Sequence, residues 1–239
     1  MPAPRIRLLG VGLYTRADAG RLLKMTPSRI ARWVRGYSYW LSHPAQPERR
    51  AQPPVVRARL PRVGGSLLIS FLDLMELRVV KALIDVGLSL QHVRRIARLA
   101  SDLFQTPYPF ASRRIFTDGH EVFASLTRDT DDPTLIEISS RHPQLIARPI
   151  IADYITELDF DLHSSLAKRW WPLGRDVPIV LDPDVSFGAP VIAGTATRTE
   201  VLAGLVRVTG VARAAEAFFV DESAATAAME FESQLAAAA

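Results

Sequence analysis

The stretch "TPSRIARWVRGY", residues 26–37, decides how the front of this chain folds. Thr26 followed by Pro27 combines a helix cap with a first helical residue whose missing N–H costs nothing there. Ile30, Trp33 and Val34 recur at helical spacing and predict a helix that buries one side, leaving Ser28, Arg29, Arg32 and Arg35 on the other. Upstream, Thr15-Arg16-Ala17-Asp18 sets another cap three residues ahead of an acid that suits the positive end of a helix dipole. Ala19, Leu22 and Leu23 share one face of that helix, which ends near Lys24-Met25 because Thr26 opens the next one. Two short capped helices joined by a tight turn form a helix-turn-helix.

In a DNA major groove, the second helix of such a unit aims its N-terminal residues at base edges, and Arg reads guanine bidentately. Thr15, Arg16, Thr26, Ser28, Arg29, Arg32 and Arg35 are the expected first rank of DNA contacts. A helix whose arginines merely keep it soluble has the same pattern, so the surroundings must decide. They are basic. Up to Gly65 the chain holds 13 Lys or Arg against two acids, a balance of +11; the remainder, with 16 bases and 23 acids, stands at −7. The whole-chain charge of +4 hides this division. A basic front beside an acidic rear fits a polyanion-binding module joined to a body that should not bind polyanions.

Tyr37, Tyr39 and Trp40 and a Pro- and Arg-rich stretch follow, and the prolines forbid a long helix there. Val55, Val56, Ala58 and Leu60, interleaved with Arg57, Arg59 and Arg62, read as a strand that turns at Gly64-Gly65 into Leu67–Ile69. A two-stranded wing is expected here, with Arg57, Arg59 and Arg62 as a second rank of phosphate contacts. Trp33, Tyr39 and Trp40 are expected in the core.

Ser70 and Asp73 repeat the cap-plus-acid pattern at the head of "SFLDLMELRVVKALIDVG", which stops at Gly87; a second helix starts at Ser89, making a helical hairpin. "RIFTDGHEVFASL" reads as a β-hairpin turning at Asp118-Gly119. His92 is expected on the surface, since no second nitrogen ligand stands at helical spacing. The acids of "TRDTDD", residues 127–132, lack the glycine and terminal Glu of a calcium loop. Asp153, Glu157, Asp159 and Asp161 read as helix-face and turn charges before they read as magnesium ligands. His43, His120, His142 and His163 sit in unrelated contexts, with no nucleophile elbow or phosphate loop nearby. No enzyme, cofactor or metal site is expected. With no cysteine, disulfides and thiolate chemistry are excluded, which is compatible with the cytoplasm, where the protein is expected. Neither a signal peptide nor a membrane span is expected.

Beyond Trp170-Trp171 the chain reads as strands and turns through "VPIVLDPDVSFGAPVIAGTATRTE", then as three short helices: one capped by Thr199, one after Gly210, one opened by Asp221 or Ser223. The stretch "FGAPVIAGTATRTEVLAGL", followed by "GVARAAEAFFVDESAATAAMEFE", resembles the small C-terminal helical domain of VapB-type antitoxins, which neutralise PIN-like ribonuclease toxins. Gly188-x-Pro190-x-Ile192-x-Gly194-Thr195 carries that likeness; Ala196-Thr197-Arg198 departs from the pair followed by proline that is common in the family. The front, "LYTRADAGRLLKMTPSRIARWVRGY" with "SFLDLMELRVVKALIDVGLSLQHVRRI", is similar to winged regulators of the MerR type.

These resemblances imply a mainly α fold with small β elements. An N-terminal MerR-like winged helix-turn-helix domain would occupy residues 1–125, a connecting region 126–175, and a C-terminal three-helix, helix-turn-helix-like domain 176–239. They imply an antitoxin that represses its own operon by binding operator DNA, binds a cognate PIN-like toxin, and forms a homodimer that reads two half-sites. Arg198, Arg207 and Arg213 are equal candidates for contact with the toxin's acidic site. The rival reading is a stand-alone MerR-like regulator whose C-terminal body senses a small organic ligand beside Trp170, Trp171 and Phe187.

Overall fold

A computed structural model describes residues 10–41, 48–62, 64–117 and 156–237. The described chain is mainly helical with two small antiparallel sheets. Its front is the expected pair of helices, α1 (Arg16–Leu23) and α2 (Pro27–Arg35). Thr15 closes a full capping box with Asp18, and the Thr26 side chain accepts from the Arg29 N–H with Pro27 just inside the helix. The link is tight because Lys24 takes a left-handed conformation, φ 52°, and its N–H returns to α1 carbonyls. Gly20 makes room for this turn, since a Cβ there would press on the Met25 carbonyl oxygen.

A wing follows, but not where the alternation of Val55–Leu60 placed it. The strands are β1 (Tyr37–Leu41) and β2 (Glu48–Gln52), paired antiparallel with Tyr39 opposite Arg50 and Trp40 opposite Arg49. The segment from Val55 runs back over α2 instead: the Val55 and Val56 N–H groups both donate to the Trp33 carbonyl, at 2.9 and 3.2 Å, and both side chains are buried. Pro53 and Pro54 at its entry cannot donate to a sheet ladder, and the end of α2 supplied a partner for the next two donors. Past the Gly64-Gly65 turn, Ile69 pairs with Tyr14 by two backbone hydrogen bonds of 2.9 Å, tying the entry of α3 to that of α1.

The helical hairpin is α3 (Phe71–Asp85) and α4 (Leu90–Phe104), with a Ser70/Asp73 capping box, Gly87 at φ 100° and Ser89 capping α4. Ile30, Trp33 and Val34 of α2 pack into one core with Phe71, Leu74 and Leu77 of α3 and Val93 and Ile96 of α4. His92 is buried in α4, against expectation, because position 92 lies next to the inward row of Val93 and Ile96. Residues Arg114–Thr117 form a helical turn, α5, where a strand was expected; the Asp118-Gly119 turn itself lies outside the described residues. So do "TRDTDD", His43, His120, His142 and Asp153.

A four-stranded meander, β3 (Leu158–Phe160), β4 (Ala167–Trp170), β5 (Ile179–Leu181) and β6 (Pro190–Ile192), joins front and rear. Leu158, Trp170 and Leu181 belong to the front core, whereas Ile179 and Ile192 belong to a second core with α6 (Thr199–Thr209), α7 (Val211–Phe218) and α8 (Glu222–Ala237). The expected boundary between residues 175 and 176 thus falls between β4 and β5, which pair through Trp170 and Leu181. Glu76 strengthens the join: its buried carboxyl accepts from the Phe110 and Ala111 N–H groups at 2.6 and 2.8 Å, and the Ala111 carbonyl accepts from Ala167 of β4. Tyr14 adds a second tie, donating from its buried hydroxyl to the Gly188 carbonyl at 2.7 Å. A Cβ at Gly188, which sits at φ 82°, would strike that hydroxyl.

The acids of the 157–161 stretch are used within the fold. Glu157 pairs with Arg78 and accepts from the Trp170 indole, Asp159 accepts from Trp171 and Arg175, and Asp161 accepts from the backbone of His163 and Ser164. Among the described residues no helix is long and apolar enough to cross a membrane.

Candidate nucleic-acid interface

Burial of Ile30, Trp33 and Val34 leaves the opposite side of α2 to Ser28, Arg32 and Arg35, all exposed, with Arg29 half-covered at its edge. Thr26 lies exposed at the same end, its hydroxyl 3.1 Å from that of Ser28. The arginines are not loose. Arg29 stacks over Trp33 at 4.7 Å and Arg32 over Tyr37, the first residue of the wing, at 4.2 Å. A guanidinium held over a ring face loses less rotamer freedom when it meets an acceptor. Among the described residues, none of Arg29, Arg32 and Arg35 pairs with a carboxylate. Their charge is left to the outside.

Thr26, Ser28, Arg29 and Arg32 line a single cleft with Trp33, Ile84 and Leu90, so four of the expected contacts converge. Thr15 and Arg16 are exposed at the head of α1, where the Thr15 hydroxyl is held by Asp18 at 2.7 Å. The second rank divides. Arg57 and Arg59 line a different cleft with Arg94 and Arg98 of α4, and Arg59 donates to the Pro107 carbonyl at 3.3 Å while lying over Tyr108. Arg62 is exposed and lines neither cleft.

The wing contributes residues that the sequence reading passed over. Trp40, expected in the core, is 64% exposed, and Arg49 beside it is exposed and donates to the Ser38 hydroxyl at 3.4 Å. Arg50, on the same strand, is also exposed. The alternation Tyr37-Ser38-Tyr39-Trp40 was the available signal, and Arg49 and Arg50 follow from it by hairpin pairing. Arg94 fixes the wing's exit, donating to the Pro53 carbonyl at 3.0 Å.

At the other end, Arg198 is exposed just ahead of α6, Arg207 on α6 and Arg213 on α7. Arg198 lines a cleft with Asp18 and Arg21 of α1 and Glu200 and Glu232 of the rear; Arg207 and Arg213 do not.

Residues 12–97 match a family model described as "Putative DNA-binding HTH domain". Over 204 residues, 82% of this chain and 83% of the relative, the chain is 27% identical to a Mycobacterium tuberculosis (strain ATCC 25618 / H37Rv) protein named "Putative antitoxin VapB45". The X-ray crystal structure of Rv2018 from Mycobacterium tuberculosis shares the fold, with a TM-score of 0.72 at 24% identity over 92% of this chain and 99% of that one. The match to the helix-turn-helix family falls on α1, α2 and the helical hairpin, and the antitoxin likeness extends over most of the chain. Over most of its length the chain is thus similar to a protein named "Putative antitoxin VapB45", and its N-terminal end carries a helix-turn-helix.

Proposed function

We propose that the chain is an antitoxin that binds and neutralises a PIN-like ribonuclease toxin and represses its own operon by binding operator DNA. The observation that carries the DNA half is the ridge on α2: Ser28, Arg29, Arg32 and Arg35 face outward, two of the arginines braced on aromatic rings. Helix and wing form one MerR-like reading head, with α2 in the major groove and Arg49 and Arg50 against the backbone beside it. Arg57 and Arg62 reach phosphates farther along, and Thr15 and Arg16 meet the strand that α1 crosses.

The toxin half belongs to the rear, where α6 and α7 meet at Gly210 in a helix-turn-helix-like unit within residues 176–239. Arg198, Arg207 and Arg213 are its candidate contacts, and each is exposed. A ribonuclease surface that accommodates RNA is basic, so an acidic rear complements it, while single arginines answer the acidic metal site within. A non-enzymatic regulator of this kind needs no cofactor.

The test uses the full chain. Retention on DNA from upstream of its own reading frame should exceed retention on a scrambled duplex and fall steeply with salt. Co-expression with the adjacent reading frame's product should yield a co-purifying complex and relieve growth arrest. Equal retention on both duplexes would remove the repressor assignment; growth arrest without rescue would remove the antitoxin assignment.

A further inference from the structure

Helix α6 buries Thr199, Leu202, Ala203 and Val206 against the rear core. Its opposite side is also apolar: Val201 is 51% and Val208 83% exposed, with Gly204 and the half-buried Leu205 between them. Scattered surface valines are ordinary, but these four positions follow the i, i+3, i+4, i+7 spacing of a packing seam over two turns of one face. Gly204 is the second observation. An interior helical glycine is unfavourable relative to alanine, and a Cβ built there meets no atom within 4 Å, so nothing among the described residues requires glycine. A second backbone approaching closely would.

Charge completes the pattern. Glu200 and Arg207 are both exposed and border the stripe on the same side. Seven residues apart, they are separated by about 10 Å along the helix and cannot pair with each other. Neither makes an ion pair among the described residues.

We infer that this face joins two copies of the chain, α6 packing antiparallel on the α6 of a second copy about a two-fold axis near Gly204 and Leu205. In an antiparallel pair like flanks adjoin, so Glu200 of each copy meets Arg207 of the other and Val201 meets Val208. In a parallel pair unlike flanks adjoin, which would leave the Glu200 and Arg207 side chains of the two copies on opposite sides of the seam with neither charge meeting its complement. DNA is a poor occupant, because residues 199–237 hold six acids and two bases. The self-complementarity of a single helix favours a second copy over a foreign protein. Three turns of helix make a contact at the small end of stable interfaces, so association depends on concentration. This surface is independent of the DNA reading; it takes up Arg207, one of the three candidate toxin contacts, and leaves Arg198 and Arg213 free for a toxin.

The absence of native cysteine makes the register testable. Oxidation of full-length V201C/V208C should give a covalent dimer. V201C alone should give little, because its sulfurs would lie about 10 Å apart along the paired helices, beyond disulfide reach. No cross-linking of the double variant, or equal cross-linking of both, would overturn the register. In sedimentation without DNA or toxin, E200R should weaken self-association about ten-fold or more, and E200R/R207E should restore it. Unchanged association of E200R, or no rescue, overturns the pairing. Intact association of E200R with loss of a co-expressed protein would assign the face to a foreign partner instead.

Discussion

Helices α2 and α6 are similar in length, nine and eleven residues, and each buries one face in its own core, yet they present opposite surfaces. Outside, α2 carries Ser28, Arg32 and Arg35, with Arg29 braced at the edge; α6 carries Val201 and Val208. A braced arginine is matched to an acceptor that stays wet and charged, such as a phosphate or a base edge, whereas an exposed valine gains only by leaving water. Under the proposals above, the outer side of α2 engages its partner through charge that salt screens, whereas the outer side of α6 gains chiefly by taking apolar surface out of water.

The largest effect should come from Trp33, which is 2% exposed, lies beneath Arg29 and offers its carbonyl to Val55 and Val56. Trp33→Ala should cost about 3–5 kcal/mol in denaturant unfolding and abolish DNA retention with it. An unchanged midpoint would show that the reading head is not built around this ring. Arg29→Ala and Arg32→Ala should each weaken operator binding by about 1–3 kcal/mol. Neither should move the unfolding midpoint much, and Arg213→Ala should leave DNA binding intact. If Arg213→Ala weakens DNA retention as much as Arg29→Ala, the contrast between the ends is lost.

Glu76 tests the join between them. Burial pushes its carboxyl up to about 8, against the lowering pull of the Ala111 and Phe110 N–H groups, with Asp73 raising it and Arg59 lowering it. Between about 4.5 and 8 the folded chain then holds a proton that the unfolded chain has released. Native protein binds more protons in that window, so stability falls as pH rises through it. Glu76→Gln keeps an acceptor for both N–H groups and should flatten that slope in pH-dependent unfolding. A slope unchanged in the variant would assign it to other groups. Smallest of all, Arg49→Ala should lower the slope of log affinity against log salt by about 0.9, the signature of one lost phosphate contact. No change in slope would place the wing off the DNA.

Truncation after Trp171 is a poor way to separate the ends. It removes Leu181 from the front core and Gly188 from Tyr14, so loss of DNA binding in the fragment would report unfolding as readily as a missing contact.

Much of the front was legible because its signals are local. Thr15 with Asp18, Thr26 with Pro27 and Ser70 with Asp73 each satisfy helix-end donors within a few residues, and all three act as caps. The wing was misplaced because Val55 and Val56 alternate like a strand, while their hydrogen-bond partner, the Trp33 carbonyl, is more than twenty residues upstream. Trp40 and His92 were misjudged for the same reason. An aromatic on a two-stranded hairpin has only one neighbour to bury it, and a histidine beside an inward row is covered by whichever helix lies across from it.

By itself the sequence determined the two capped helices, the outward arginines of α2, the charge division and the helical rear, since each rests on spacing along the chain or on composition. Only the tertiary structure decided that Arg29 and Arg32 lie on rings, that Arg59 turns to Pro107, that Glu76 and Tyr14 tie front to rear, and that the apolar face of α6 is uncovered. Those facts depend on which atoms meet across long separations. Meeting is settled by how the whole core packs, and no window of neighbouring residues contains that information.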